Sequence, residues 1–205
     1  MDFLLNIDLP VLIQAIGYFG IFFIIFAESG LFFGFFLPGD SLLFTAGLLA
    51  SQGYFNIIIL VLLTTLGAIG GDQIGYLFGK KVGPKIFTRD ESFFFRKKYI
   101  IDAENFYKKY GKKTIIIARF VPVVRTFVPI LAGVGSMNYK TFVTYNVVGG
   151  LLWGLCIPLL GYFLGEAIPN VDTYLWPIIL VILLTSFLPT IFSFIYAKIK
   201  KCMKR

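Results

Sequence analysis

Apolar residues fall in long runs separated by short polar breaks. Leu9–Ala27 is the first run and closes at Glu28. Ser29–Ala50 follows, interrupted by Leu37-Pro38-Gly39-Asp40. Asn56–Phe78 carries a single acid, Asp72. Residues 80–113 are polar, basic and aromatic. Thr114–Gly135 is apolar again but contains Arg119, Pro122, Arg125 and Pro129. Phe142–Leu164 and Tyr174–Ala197 complete the pattern. A helix needs about 20 apolar residues to cross the hydrocarbon core of a bilayer. The pattern therefore predicts transmembrane helices over 56–79, 141–167 and 174–197. The broken stretches, 9–50 and 114–136, need another explanation.

Composition points the same way. Apolar residues make up 58% of the 205 positions and charged residues 15%, and mean hydropathy is +0.83. Soluble domains average about 45–50% apolar and about 25% charged, so a soluble globule is excluded, and a disordered chain with it. Histidine is absent. That removes histidine general bases, Ser-His-Asp triads and most zinc sites. Cys156 lies in an apolar run and Cys202 in the basic tail, which suits neither a disulfide framework nor a thiolate metal site. No cofactor and no metal are expected, nor an enzyme. No basic residue precedes Lys80, so a cleaved secretory signal is not expected.

The net charge is +8, sorted by position: eleven of the 19 basic residues lie between Lys80 and Lys113, and five more between Lys198 and Arg205. This is the distribution of the positive-inside rule, not of a nucleic-acid partner. With the 80–113 linker and the 198–205 tail both cytoplasmic, the chain between them crosses an even number of times. One of its three apolar segments must turn back. Residues 114–136 carry two arginines and two prolines; each central arginine costs about 2.5–3.5 kcal/mol on insertion scales, and proline breaks a helix. That segment reads as a re-entrant hairpin facing a cavity.

Residues 9–50 read as a second re-entrant hairpin, although two full spans would also satisfy the charge rule. An internal repeat favours the hairpin. Tyr18-Phe19-Gly20 through Ala27-Glu28 parallels Lys109-Tyr110-Gly111 through Ala118-Arg119 at an offset of 91, which also carries Pro38 onto Pro129. At an offset of 86, Ala46-Gly47 meets Ala132-Gly133, and Gly75-Tyr76-x-x-Gly79 meets Gly161-Tyr162-x-x-Gly165. Each copy would cross once, giving an inverted repeat of re-entrant hairpin plus transmembrane helix, with one extra C-terminal helix: an all-α membrane fold. Broken segments from inverted repeats meet near the midplane in secondary transporters.

Arg119 and Arg125 flank Pro122, which lets them converge although six residues on a straight helix would point them apart. Guanidinium groups fork onto phosphate or carboxylate, so these two are candidate phosphate ligands; the plain alternative is a structural pair with acids of the first copy. Glu28 and Asp40 are candidates for proton coupling or gating, because a buried carboxylate beside an arginine changes protonation as that partner leaves or returns. Asp40 is equally suited to cap a helix. Asp72, in Gly70-Gly71-Asp72-Gln73-x-Gly75, is a secondary candidate near the cytoplasmic end of its span; the glycines suit close helix packing. In the linker, Phe87, Phe93, Phe94, Phe95, Tyr99, Phe106 and Tyr107 alternate with basic residues, which predicts an amphipathic segment on anionic lipid headgroups. A homo-oligomer is compatible with all of this.

Glu28-Ser-Gly…Leu37-Pro-Gly-Asp-Ser, Gly71-Asp…Gly75-Tyr-x-x-Gly79 and Arg119-Phe-x-Pro-x-x-Arg125-Thr…Pro129…Ala132-Gly133 resemble the DedA family, also called SNARE-associated or VTT-domain proteins. The resemblance covers roughly Gly17 to Gly165. It implies a bacterial inner-membrane protein with two opposed re-entrant hairpins, in a family tied to membrane-potential homeostasis and to recycling of undecaprenyl phosphate, with lipid scramblases among eukaryotic relatives. It also implies that Glu28, Asp40, Arg119 and Arg125 are required. The expectation is a translocase for undecaprenyl phosphate or a phospholipid, proton-coupled through the acids. The alternative is a proton-coupled antiporter of small cations or drugs. A lipid-phosphate phosphatase would lack the histidine such active sites use.

Overall fold

Among the described residues two helices are both long and apolar enough to cross a bilayer. The computed structural model describes residues 9–31, 37, 39–86 and 111–167. The six helices are α1 (Leu9–Gly30), α2 (Gly39–Ser51), α3 (Ile57–Ile86), α4 (Thr114–Ala118), α5 (Pro122–Val134) and α6 (Tyr139–Ala167), and no strand occurs among the described residues. At 1.5 Å per residue α3 and α6 are each about 45 Å long; both are apolar enough to span. By the same rise, α2 and α5, with 13 residues each, reach only about 20 Å, well short of a ~30 Å hydrocarbon core. The expected span at 174–197, the tail at 198–205 and most of the basic linker lie outside the described residues.

Local sequence explains the boundaries. Gly17 sits at φ 63°, ψ −170° and kinks α1, a conformation open to glycine at no steric cost. Asn56 caps α3: its Oδ1 accepts the backbone N–H of Ile58 at 2.9 Å and of Ile59 at 3.3 Å. Asn138 does the same for α6, accepting from Thr141 at 3.4 Å, so free amides at both helix starts are satisfied. Val121 is extended (φ −112°, ψ 108°) and Pro122 opens α5 at its first turn, as a residue before proline prefers.

The shorter helices pack on the two long ones. α1 and α5 lie on α3, α2 lies on α6, and α3 and α6 touch each other. Glycine permits the closest crossings. A Cβ on Gly47 or Gly161 would overlap the backbone of Pro158 or Phe44, and one on Gly133 or Gly79 would overlap that of Tyr76 or Ile130. Thus α2 meets α6 through the same kind of contact by which α5 meets α3. In these contacts Gly161 takes the part on α6 that Gly79 takes on α3, one helical turn from the pairing read off the sequence.

Tyr76 anchors the α3–α5–α6 corner. Its ring stacks on Phe142 at 4.5 Å between centroids, and its hydroxyl donates to the Met137 carbonyl at 2.5 Å. Ile58, Leu62 and Leu66 form an exposed apolar row along α3, and Leu152, Leu155 and Phe163 are exposed on α6. Apolar rows of this kind are costly in water and at home against lipid.

Candidate functional site

The site is built where the chain breaks. α4 stops at Ala118, the next residues turn, and extended Val121 re-aims the backbone before α5 begins. Arg119 and Arg125 therefore leave two differently directed segments and line the same narrow cavity, with Asp72, Ser29 and Trp153. Proline at position 122 does for these side chains what a straight helix cannot.

Each guanidinium has its own acids. Arg125 Nη1 donates to Asp40 Oδ1 at 2.6 Å, and its Nη2 donates to Glu28 Oε1. Arg119 Nη2 donates to Asp72 Oδ2 and, at 3.2 Å, to the Ala68 carbonyl. Both arginines, Glu28 and Asp72 are buried. The carboxylates at 28 and 40 thus converge on Arg125 alone, whereas Arg119 pairs with Asp72. Asp72, expected near the end of its span, is instead at the midpoint of α3, because that helix continues to Ile86. It is a full member of the cluster.

Trp153 is the member that sequence reasoning missed. It sits at the midpoint of α6, buried, with Nε1 donating to Asp40 Oδ1 at 3.0 Å. The Arg125 Cζ lies 4.8 Å from the centroid of its ring, within range of a cation–π contact. The only sequence signal was a tryptophan in the middle of an apolar run.

Glycine shapes the site as well. A Cβ on Gly39 would overlap the Glu28 carboxylate, so the glycine of Leu37-Pro38-Gly39-Asp40 has a steric reason. One on Gly150 would lie 2.5 Å from Ile69 Cγ1 and 3.2 Å from Arg119 Nη1.

Chemically, the cluster holds two guanidiniums and three carboxylates, a net charge of −1 with every group ionised. Arg119 Nη1 and Glu28 Oε2 are buried with no hydrogen-bond partner among the described residues. A free donor and a free acceptor inside low-dielectric surroundings are costly, and they mark where an added ligand or proton would be stabilised. Among the described residues no three His, Cys, Asp or Glu side chains form a metal-ligand set.

Comparison with known proteins adds the family context. A family model, the VTT domain, matches residues 37–163. Protein DedA of Escherichia coli K12 is 44% identical over 206 aligned positions, covering 97% of this chain and 93% of that protein. The uncharacterized membrane protein Rv0364 of Mycobacterium tuberculosis H37Rv is 47% identical over 176, covering 85% and 77%. The inner membrane protein YqjA of Escherichia coli K12 is 36% identical over 149, covering 73% and 68%. No solved structure matches the chain.

Proposed function

Because the chain belongs to the DedA, or VTT-domain, family of membrane proteins, we propose that it is a translocase carrying a lipid phosphate between the leaflets of a bacterial inner membrane. The substrate class is undecaprenyl phosphate or a phospholipid. One observation carries this reading. Two buried arginines, positioned by a single proline break, sit level with the midpoints of the two long helices and face carboxylates from three other helices.

In this reading α1–α2 and α4–α5 are re-entrant hairpins entering from opposite sides; the second helix of each packs on the long helix of the other half, and the first on that of its own half. The shortness of α2 and α5 and the matching glycine contacts support that arrangement. The basic linker and tail face the cytoplasm, with the linker on anionic headgroups.

The mechanism is exchange of anions on fixed cations. Arginine binds carboxylate and phosphate with the same forked geometry. A lipid phosphate displaces a carboxylate from a guanidinium while its tail stays in the hydrocarbon. An anion added to a cluster already at −1 is repelled, so phosphate entry is easiest when a displaced carboxylate takes up a proton. That links lipid movement to protons and needs no covalent step.

The test is leaflet exchange of a fluorescent phosphatidic acid in vesicles containing the purified protein. Wild type accelerates exchange and Arg119→Ala does not; equal rates would refute the reading. The surplus carboxylate favours one second reading, a proton-coupled antiporter of small cations. Proton flux that follows added cations without lipid movement would establish it.

A further inference from the structure

We infer that Trp153 is a positioning residue that keeps Asp40 partnered while a phosphate takes its place on Arg125; the inference rests on the lipid-phosphate reading above. A single carboxylate oxygen, Asp40 Oδ1, accepts from Arg125 Nη1 at 2.6 Å and from Trp153 Nε1 at 3.0 Å. The same indole offers its face to the guanidinium. Trp153 therefore touches both members of the ion pair from a third element, α6.

The two acids on Arg125 are not equivalent. The Glu28 side chain is 3% exposed and hemmed by Gly39, whereas that of Asp40 is 25% exposed. Asp40 is the carboxylate with room to move, so it is the one that yields to an incoming anion. A carboxylate released inside a buried cluster loses a charged donor at once. The indole N–H remains as a neutral donor that satisfies it without competing for the phosphate. The π face keeps the guanidinium in position during the exchange.

α6 is shaped to bring the ring there. Gly150 and Gly154 flank Trp153, and a Cβ on either would run into Ile69 or Thr65 of α3. The long helices meet closely on both sides of the indole, which fixes its height and direction.

Two variants separate the indole's two contacts. Trp153→Phe keeps a ring over Arg125 and removes the N–H; Trp153→Leu removes both. In vesicles holding the full chain, Trp153→Phe is expected to slow phosphatidic acid exchange roughly tenfold, the factor expected for one lost hydrogen bond to a charged group. Trp153→Leu slows it further. Exchange by Trp153→Phe at the wild-type rate overturns the inference.

Fluorescence gives a readout that a merely structural role would not move. Trp176 is the other tryptophan, so Trp176→Phe leaves Trp153 as sole indole. Its emission is expected to shift when phosphatidic acid replaces phosphatidylcholine in the vesicles. A shift with inorganic phosphate alone supports the same contact and assigns it to phosphate without the lipid. No shift with either ligand, while exchange proceeds, overturns it. Adding Asp40→Asn to that background tests the indole contact whichever way the lipid assay falls. Emission then changes if the indole rides on the carboxylate; unchanged emission overturns the inference without bearing on translocation.

Discussion

Arg125 and Asp40 meet at 2.6 Å across 85 residues of sequence, and the carboxylate oxygen between them is shared with Trp153. The cluster is thus the point where α2, α5 and α6 are fastened together. Structural support and candidate chemistry reside in the same charges.

Removing Arg125 should therefore unfasten the core. Arg125→Ala leaves buried Glu28 and half-buried Asp40 without their cation, a change worth about 3–5 kcal/mol in stability. A clearly lowered unfolding temperature in detergent is expected. Arg125→Lys should recover part of that stability but little exchange activity, because a lysine ammonium lacks the planar fork. Full activity in the lysine variant would contradict the phosphate-fork assignment.

The acids should differ in their structural weight. Asp72 is the acid paired with Arg119, while Arg125 has two. Asp72→Ala leaves a buried guanidinium without its counter-charge and should cost about 3–5 kcal/mol. Glu28→Gln removes the surplus negative charge and keeps the shape, so it should cost less stability than Asp72→Ala and make exchange less dependent on protons. Paired unfolding and exchange measurements check the order; Glu28→Gln as the less stable of the two would reverse the charge argument.

Close helix crossings give a prediction independent of charge. Gly133→Val places a side chain against the Tyr76 backbone, and Gly47→Val places one against Pro158. Both should lower the yield of folded protein by separating α5 from α3 or α2 from α6. Gly53 has open space around a Cβ but a φ of 86°, so Gly53→Ala should cost only about 1 kcal/mol of backbone strain. Comparable losses at all three positions would mean that backbone approach is not the constraint.

Topology is open to cysteine labelling. With Cys156 and Cys202 replaced by serine, a cysteine at exposed Tyr54 is expected to react with an impermeant maleimide from outside intact cells. One at exposed Lys140 should react only after permeabilisation. A cysteine at Leu37 separates the hairpin from two full spans: rapid labelling from the cytoplasmic side would mean that α1 and α2 cross completely.

Much of this was legible in the linear chain, because the cost of charge and broken backbone in an apolar run is local. The two spans at α3 and α6 follow from the length of their apolar runs, and Glu28, Asp40, Arg119 and Arg125 stood out as charges where none is cheap. Pro122 already pointed to a break that would let both arginines converge. Partner choice was not legible. Which carboxylate meets which guanidinium depends on helix crossings set by Gly47, Gly79, Gly133 and Gly161, contacts between residues tens of positions apart that no spacing rule encodes. Asp72 was set too near a helix end because α3 continues into the basic linker, where hydropathy alone gives no reason for a helix to persist. Trp153 was silent because an indole in an apolar run looks like any packing residue until its N–H is seen on a carboxylate. Burial energies could be read one residue at a time; the pairing of charges required the folded arrangement of five helices.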